Sequence, residues 1–222
     1  MLRGSKTYET GNAQTAALLV SASVAACLLF SGCTQSSAPQ GTAVLAPSLK
    51  ELAAQWAHDD TLSDWDRAVV EKAIQTGTVS QADYDEGADN FEACLKQNGL
   101  HWVRTRLLNG VVEFQPPQGA REEDDSIDLA AIQDACYVST WQTTQELFRM
   151  QQANPGLLTD VSIAAVDCLK DTGIVGEDFT TDDFDKLAGP GDPSAEWPFD
   201  VEDPRAQTCL YSLGYAISVE SK

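Results

Sequence analysis

The sequence predicts an α+β domain that is mostly helical, carries one β-hairpin and consists of two half-repeats, each stapled by a disulfide. Three observations support this fold class. Apolar residues recur at helical spacing over several segments, one Asn-Gly pair separates two alternating segments, and a two-cysteine pattern occurs twice. Of the 222 residues, 43% are hydrophobic, which suits a folded domain and is too high for a disordered chain.

Helical periodicity predicts seven helices, several of them bounded by capping or breaking residues. Ser63 can cap the second helix, Gly77 ends it, and Gly99 lies where a left-handed C-cap is needed after the third. Asn154-Pro155-Gly156 ends the fourth. The predicted spans are 48–58, 63–76, 81–98, 126–152, 159–172, 181–187 and 204–215.

The hairpin is predicted from two strands, Trp102–Leu108 and Val111–Gln115, on either side of Asn109-Gly110. A two-residue turn places Arg106 opposite Glu113. It also gathers five residues on one buried face, namely Val103, Thr105, Leu107, Val112 and Phe114.

The two-cysteine pattern indicates an internal duplication. Cysteine, leucine, lysine and glycine recur in register in Cys94-Leu95-Lys96-Gln97-Asn98-Gly99-Leu100 and Cys168-Leu169-Lys170-Asp171-Thr172-Gly173-Ile174. A further cysteine follows in each copy. Cys136 lies 42 positions after Cys94, and Cys209 lies 41 positions after Cys168. Four cysteines allow three pairings, and the repeat favours Cys94–Cys136 and Cys168–Cys209. The half-repeats would span about 78–153 and 157–222.

Zinc binding is the other use of four cysteines, and it needs closely spaced pairs such as Cys-x-x-Cys, which do not occur in the sequence. Each predicted bridge closes a loop of about forty residues and would contribute roughly 4 kcal/mol. The bridges are therefore expected to be structural, in a protein exposed to an oxidising compartment.

The N-terminal residues predict that compartment. Arg3 and Lys6 precede an apolar run, 16–30, which is too short to span a bilayer comfortably. The run ends in Leu29-Phe30-Ser31-Gly32-Cys33, which resembles the bacterial lipobox. That resemblance implies a signal peptide at 1–32, a lipidated Cys33 that begins a flexible tether at 33–47, and an extracytoplasmic domain at 48–222 anchored by palmitate-type acyl chains.

Two alternatives to this assignment stay open. Phe30 replaces the leucine usual in a lipobox, and Val24-Ala25-Ala26-Cys27 forms a rival box. We rank Cys27 second, because cleavage there would leave apolar residues at the mature N-terminus. A plain transmembrane anchor is the other alternative.

Charge excludes nucleic acid as a partner. The formal net charge is −20, and the first 32 residues contain only Arg3, Lys6 and Glu9 as charged groups. The remainder has 12 basic and 33 acidic residues, a net charge of −21. Phosphates and anionic lipid head groups would be repelled, so a membrane contact has to come from the lipid anchor.

No catalytic or cofactor motif is evident, and no cofactor is expected. His58 is assigned to a helix end and His101 to packing at the start of the hairpin. Carboxylates at Glu122-Glu123-Asp124-Asp125 and Asp182-Asp183 could serve acid–base chemistry or weak divalent-cation binding. The turn at Thr76–Asp83 lacks the first ligands of a calcium loop. Trp197 is expected to pack onto the core.

The chain resembles uncharacterised bacterial lipoproteins of actinobacterial type. The likeness covers about residues 65–100 and the Cys-Leu-Lys repeat, and its residues are Gly77-Thr78-Val79-Ser80-Gln81-Ala82-Asp83-Tyr84, Phe91-Glu92-Ala93-Cys94-Leu95 and Gly99. It implies an anchor on the outer face of the cell membrane and no assigned activity. The leading hypothesis is a non-enzymatic lipoprotein that binds a partner in the cell envelope. A hydrolase using carboxylates on a glycan or peptide is the alternative, and a cation binder the third.

Overall fold

The predicted fold class is confirmed in the computed structural model, which describes residues 43–116, 129–188 and 196–215. This part of the chain is mostly helical, with one antiparallel two-stranded hairpin and two disulfides. Both lipobox cysteines, the tether up to 42, the acidic run at 122–125 and the predicted helix start near 126 lie outside the described residues.

Eight helices and two strands occur in the described residues. In chain order they are α1 Leu49–Trp56, α2 Asp64–Thr76, α3 Gln81–Gln97, β1 Val103–Arg106, β2 Val112–Gln115, α4 Leu129–Thr140, α5 Gln142–Ala153, α6 Val161–Asp171, α7 Thr181–Ala188 and α8 Pro204–Ser212. The first three helices begin at serine N-caps whose hydroxyls accept a backbone N–H, and the predicted cap Ser63 is one of them. The predicted end of α2 is also confirmed, because Gly77 is in the left-handed conformation with φ 78°.

The described residues form two hydrophobic cores. The larger one lies among α1–α5 and the hairpin, and its centre is Trp141, which is 1% exposed. The smaller one lies among α6, α7 and α8, and its buried residues are Ala165, Val166, Leu169, Phe184, Ala206, Cys209 and Leu210. Burial of so few side chains contributes little to the free energy of unfolding. The Cys168–Cys209 disulfide therefore contributes a larger share of the stability of this half of the chain than Cys94–Cys136 does of the other half.

The structure contains the predicted bridges, Cys94–Cys136 and Cys168–Cys209, each with its Cα atoms 5.7 Å apart. The C-cap residue beside each bridge, Asn98 or Thr172, donates to the carbonyl oxygen of the first cysteine at 2.9 and 2.8 Å. The same side chains also lie within 3.7 and 3.8 Å of the second cysteine's sulfur. The two copies therefore share a local structure as well as a sequence.

The backbone around each bridge is also the same. Leu100 N–H donates to Leu95 O, and Ile174 N–H donates to Leu169 O, both at 2.9 Å. This six-to-one bond is the Schellman ending of a helix, and it needs a left-handed residue before the donor. The residues in that conformation are Gly99 (φ 80°) and Gly173 (φ 70°).

The single helix predicted over 126–152 is wrong. In the described part of that span there are two helices, α4 and α5, with a break at Trp141 (φ −163°, ψ 14°). The cause is non-local, because the buried carboxylate of Asp66 in α2 accepts bonds from Thr144 N–H at 2.8 Å and Thr144 Oγ1 at 2.7 Å. Asp66 thus caps α5 from another helix, and Thr140 Oγ1 bonds back to Cys136 O at 2.7 Å where α4 ends.

The predicted hairpin register is also wrong by one residue. The structure pairs Arg106 with Val112 and Thr105 with Glu113. Leu107 N–H donates to Val111 O at 2.8 Å, so the loop has three residues, Leu108-Asn109-Gly110.

Helix α8 explains the longer loop. Thr208 Oγ1 accepts from Leu108 N–H at 3.2 Å, and Asn109 Nδ2 donates to Ser212 Oγ at 2.9 Å. These hydroxyls hold the loop in its three-residue form.

The shifted register changes which side chains are buried. Val103 is 51% exposed, whereas Arg104 and Arg106 share a face with Val112 and Phe114. The two arginines are accommodated by acidic residues on α3: Arg106 pairs with Asp85 at 2.9 Å and Arg104 with Asp89.

Replacing the trans cap should destabilise the protein. In Asp66→Ala the start of α5 loses two hydrogen bonds to a buried carboxylate, so we expect the free energy of unfolding to fall by about 3 kcal/mol. Urea denaturation followed by circular dichroism measures it. Asp64→Ala removes an exposed carboxylate from the same helix turn and should cost less than about 0.5 kcal/mol. Equal, small losses in both variants would show that Asp66 is not a cap.

Gly87 in α3 is required by close packing. A Cβ built there would lie 2.9 Å from Trp141 Cβ and 2.9 Å from Trp65 Nε1. In Gly87→Ala the helix gains about 1 kcal/mol in propensity, but overpacking against a buried ring costs roughly 1–3 kcal/mol. We expect a net loss of about 1 kcal/mol in chemical denaturation. The exposed neighbour substitution Glu86→Ala is the control, and a stabilised Gly87→Ala protein would contradict this packing.

Candidate functional site

An aromatic groove of about 380 Å³ is the main candidate for a binding site in the described residues. It lies between the hairpin, helices α4 and α5, and the end of α8. Its aromatic lining residues are Phe91, Trp102, Phe114, Tyr137, Trp141, Tyr211 and Tyr215. Its polar and charged lining residues are Glu113, Gln133, Asp134, Gln145 and Arg149. A concave site that combines aromatic walls with polar groups is a usual form of a ligand site.

The rings of the groove are held by contacts with Trp141. Its ring centroid lies 5.7 Å from that of Phe91, 6.0 Å from Phe114 and 6.4 Å from Tyr137, with the last two edge to face. The break between α4 and α5 places Trp141 here, so the cap by Asp66 fixes the groove wall. The rings of the wall are therefore positioned by contacts within the protein.

One polar atom of the Trp141 side chain has no partner among the described residues. The indole Nε1–H of Trp141 is buried, and no hydrogen-bond acceptor lies beside it in that part of the chain. Most buried donors in native proteins are paired, and an unpaired one costs about 1–3 kcal/mol. Trp65 Nε1 is the other buried unpaired side-chain donor among the described residues, and Trp65 does not line the groove.

Arg149, Tyr137 and Gln145 at the groove are hydrogen-bonded within the protein. Arg149 donates through Nε to Ser212 O at 3.0 Å and through Nη2 to Tyr211 O at 2.6 Å. This places a cation at the C-terminal end of α8, where the helix dipole favours it. Tyr137 donates its hydroxyl proton to Gln145 Oε1. Arg149 thereby links α5 of the first half-repeat to α8 of the second.

A second, acidic cleft of about 320 Å³ is lined by Asp59, Asp66 and Glu146. Burial raises the pKa of Glu146, whereas bonds from the Thr61 hydroxyl and N–H lower the pKa of Asp59. Two of the three carboxylates have structural roles, because Asp59 holds the turn at Thr61 and Asp66 caps α5. Glu146 is the carboxylate without such a structural role, and it accepts a bond from Gln142 Nε2 at 3.4 Å.

The structure brings together only part of the sequence-predicted candidates. The four disulfide cysteines pair as expected, and Trp197 packs on the smaller core, 5.8 Å from Phe184, as predicted. His101 is exposed, so its predicted packing is wrong, and the exposed His58 follows the C-cap of α1, Ala57.

The predicted acidic pair at 182–183 lies in the first turn of α7. There Asp183 Oδ2 accepts from Thr180 Oγ1 at 2.6 Å, which is a capping interaction. Across residues 43–116, 129–188 and 196–215, no group of three or more histidine, cysteine, aspartate or glutamate side chains converges as a metal site. Within the same ranges, no helix has the length and apolar character needed to cross a bilayer.

Sequence reasoning missed the groove itself. Its rings come from α3, the residues before and in the hairpin, α4, the break between α4 and α5, and the end of α8, so no local motif contains them. The one sequence signal for the groove is that aromatic residues occur at several positions along the predicted helices.

Comparison with known protein families, curated proteins and solved structures finds no match to this chain.

Alkaline pH should destabilise the groove wall. Burial raises the pKa of Tyr137, and burial also raises the pKa of Tyr84 to about 12. The unfolded chain loses these phenolic protons above about pH 10, whereas the folded protein keeps them to higher pH. Below pH 10 the two tyrosines therefore leave the free energy of unfolding unchanged. Above it, each lowers that free energy by up to about 1.4 kcal/mol per pH unit.

The matched variant is Tyr137→Phe, which keeps the ring and removes the titrating group. Urea denaturation between pH 9 and pH 11 should show a shallower fall in unfolding free energy for Tyr137→Phe than for the unsubstituted protein. Identical slopes would mean that the Tyr137 phenol titrates normally in the folded protein.

Proposed function

We propose that this protein is a non-enzymatic, lipid-anchored lipoprotein of the cell envelope that binds a partner through the aromatic groove. The observation that carries the binding role is the groove itself, in which seven aromatic side chains from distant parts of the chain converge beside Glu113, Asp134 and Arg149. A concave site with aromatic walls and a few polar groups is the usual form of a binding site.

The anchoring role rests on the lipobox-like sequence that ends at Cys33. Structural disulfides support it, because they form and persist in oxidising, extracytoplasmic compartments. The chain is bonded to the domain from Ala43 onwards, because Leu45 N–H donates to Leu157 O at 2.8 Å and Thr159 N–H donates to Ala43 O at 3.0 Å.

The tether limits how far the domain can lie from the membrane. Ala43 lies ten positions after Cys33 in the sequence, and ten extended residues span at most about 33–36 Å. A partner bound in the groove would therefore be held at the membrane surface. Residues 33–222 have a net charge of −21, so anionic head groups repel the domain. The surface of the domain therefore stays accessible to other proteins.

A hydrolase acting through the acidic cleft is the second candidate, because the cleft contains three carboxylates and the pKa of Glu146 is raised. Carboxylate hydrolysis of a glycan needs two available carboxyl groups on either side of the scissile bond. Asp59 and Asp66 are engaged in turn and cap hydrogen bonds, so the binding role is the better supported of the two.

The lipidation site is tested by metabolic labelling with an alkyne fatty acid and detergent phase partitioning. Cys33→Ala should abolish labelling and release the protein from the membrane fraction, because acyl chains are the only anchor proposed. Cys27→Ala is the matched control within the rival lipobox and should keep both label and membrane location. Persistent labelling of Cys33→Ala, or loss of label in Cys27→Ala alone, would move the anchor away from Cys33.

A further inference from the structure

The aromatic groove presents accessible rings to a ligand. Its half-buried aromatic residues, parts of which remain exposed, are Trp102, Phe114, Tyr137, Tyr211 and Tyr215. Phe91 and Trp141 belong to the larger core and are almost fully buried. The volume of about 380 Å³ lies near the lower end of the roughly 300–1,000 Å³ typical of small-ligand sites. The groove therefore fits a small ligand, or a short part of a longer chain, against its exposed rings.

Three polar side chains of the lining keep hydrogen-bonding capacity. No hydrogen bond within the described part of the chain occupies the side chains of Gln133 and Asp134. Glu113 accepts one bond, from Gln115 Nε2 at 2.9 Å, and a carboxylate has about four lone-pair sites. Burying these groups against hydrocarbon would leave them unpaired. The matching ligand therefore has donors and acceptors as well as apolar surface, which excludes a purely apolar molecule such as an acyl chain.

Charges of both signs line the groove. Glu113 and Asp134 would repel an anionic ligand, and so would the net charge of −21 on residues 33–222. Arg149, which is held by carbonyl oxygens of α8, places a positive charge on the same lining and would oppose a cationic ligand. The lining therefore favours an uncharged ligand over a strongly charged one.

Tyr84 closes the backbone of β2 to an added peptide strand at Val112. Val112 N–H donates to the Tyr84 hydroxyl at 2.8 Å, and this hydroxyl donates to Val112 O at 3.4 Å. An extended peptide commonly joins a sheet through main-chain hydrogen bonds to an open edge. Because the donor and the acceptor of Val112 are already used, the groove is better suited to a ligand that is recognised by side chains.

An uncharged sugar has the required combination of surfaces. A pyranose ring presents C–H groups on its faces, which can pack on aromatic rings, and hydroxyl groups around its edge. Each hydroxyl is one donor and two acceptors, so it can donate to a carboxylate and accept from an amide.

We infer that the aromatic groove binds an uncharged glycan, whose sugar faces pack on the exposed rings and whose hydroxyl groups bond to Glu113, Gln133 and Asp134. This inference rests on the proposed function and deepens it, because it names the chemical class of the ligand.

The test uses the full mature chain, lipidated at Cys33, in micelles of a detergent that contains no sugar. The probes are three uncharged tetrasaccharides, composed of glucose, of mannose and of N-acetylglucosamine. A glucosamine tetrasaccharide is the cationic control, and a galacturonic acid tetrasaccharide is the anionic one. A blocked, uncharged peptide of alternating valine and serine represents strand addition. Calorimetry measures affinity, and saturation-transfer nuclear magnetic resonance identifies the sugar protons that contact aromatic rings.

We expect at least one uncharged tetrasaccharide to bind more tightly than both charged ones, with saturation transfer to its ring C–H protons. Gln133→Ala and Asp134→Ala should each weaken this binding about threefold to tenfold, because each removes a hydrogen-bonding group. Trp102→Ala should weaken it at least tenfold by removing an aromatic face. Gln97→Ala, which removes an exposed amide of α3 outside the groove, should leave the affinity unchanged.

Circular dichroism checks the fold of each variant. If Trp102→Ala does not fold, the substitutions of Gln133 and Asp134 on α4 still decide the result. Three results would overturn the inference: no binding of any uncharged tetrasaccharide, equal or tighter binding of a charged one, or unchanged affinity in both α4 variants. Binding of the peptide alone would also overturn the glycan assignment, but it would leave a groove-binding lipoprotein intact. The labelling result for Cys33→Ala is independent of all of these outcomes.

Discussion

Two disulfides, each attached to the last turn of a helix, are the constraint on which the described fold depends. Cys94 and Cys168 lie one turn before a Schellman ending, and each bridge ties that ending to a later helix. A loop of about forty residues closed in this way contributes roughly 4 kcal/mol, against a net stability of about 5–15 kcal/mol for a whole domain. The smaller core around Phe184 depends most on its bridge, because it buries few side chains.

The Cys94 bridge also acts on the groove. It fixes α4 against α3, and α4 carries Tyr137 towards Trp141 at the break before α5. The buried carboxylate of Asp66 completes this arrangement by holding the first turn of α5. The second half-repeat then closes the groove, since Arg149 binds the carbonyl oxygens at the end of α8. The Cys94–Cys136 disulfide therefore helps to position the aromatic residues of the groove.

Features set by neighbouring residues could be predicted, and features set by distant residues could not. Serine caps, the glycine ends of α2 and α3, the hairpin and the cysteine pairing follow from local patterns or from the repeat. The break at Trp141 depends on Asp66, which bonds to Thr144 from 78 positions away. The three-residue hairpin loop depends on hydroxyls of α8 that are 100 or more positions away. The groove was missed for the same reason, because its rings converge only in the folded chain.

Disulfide mapping of the protein recovered from the cells that make it tests the central claim most directly. Non-reducing proteolysis and mass spectrometry should yield peptides linked through Cys94–Cys136 and Cys168–Cys209, with Cys33 present as an acylated N-terminal residue. That result would show that the same molecule is oxidised, exported and built from two disulfide-linked half-repeats. A Cys94–Cys168 link, or four free thiols beside an unmodified Cys33, would contradict both the stapled half-repeats and the extracytoplasmic location.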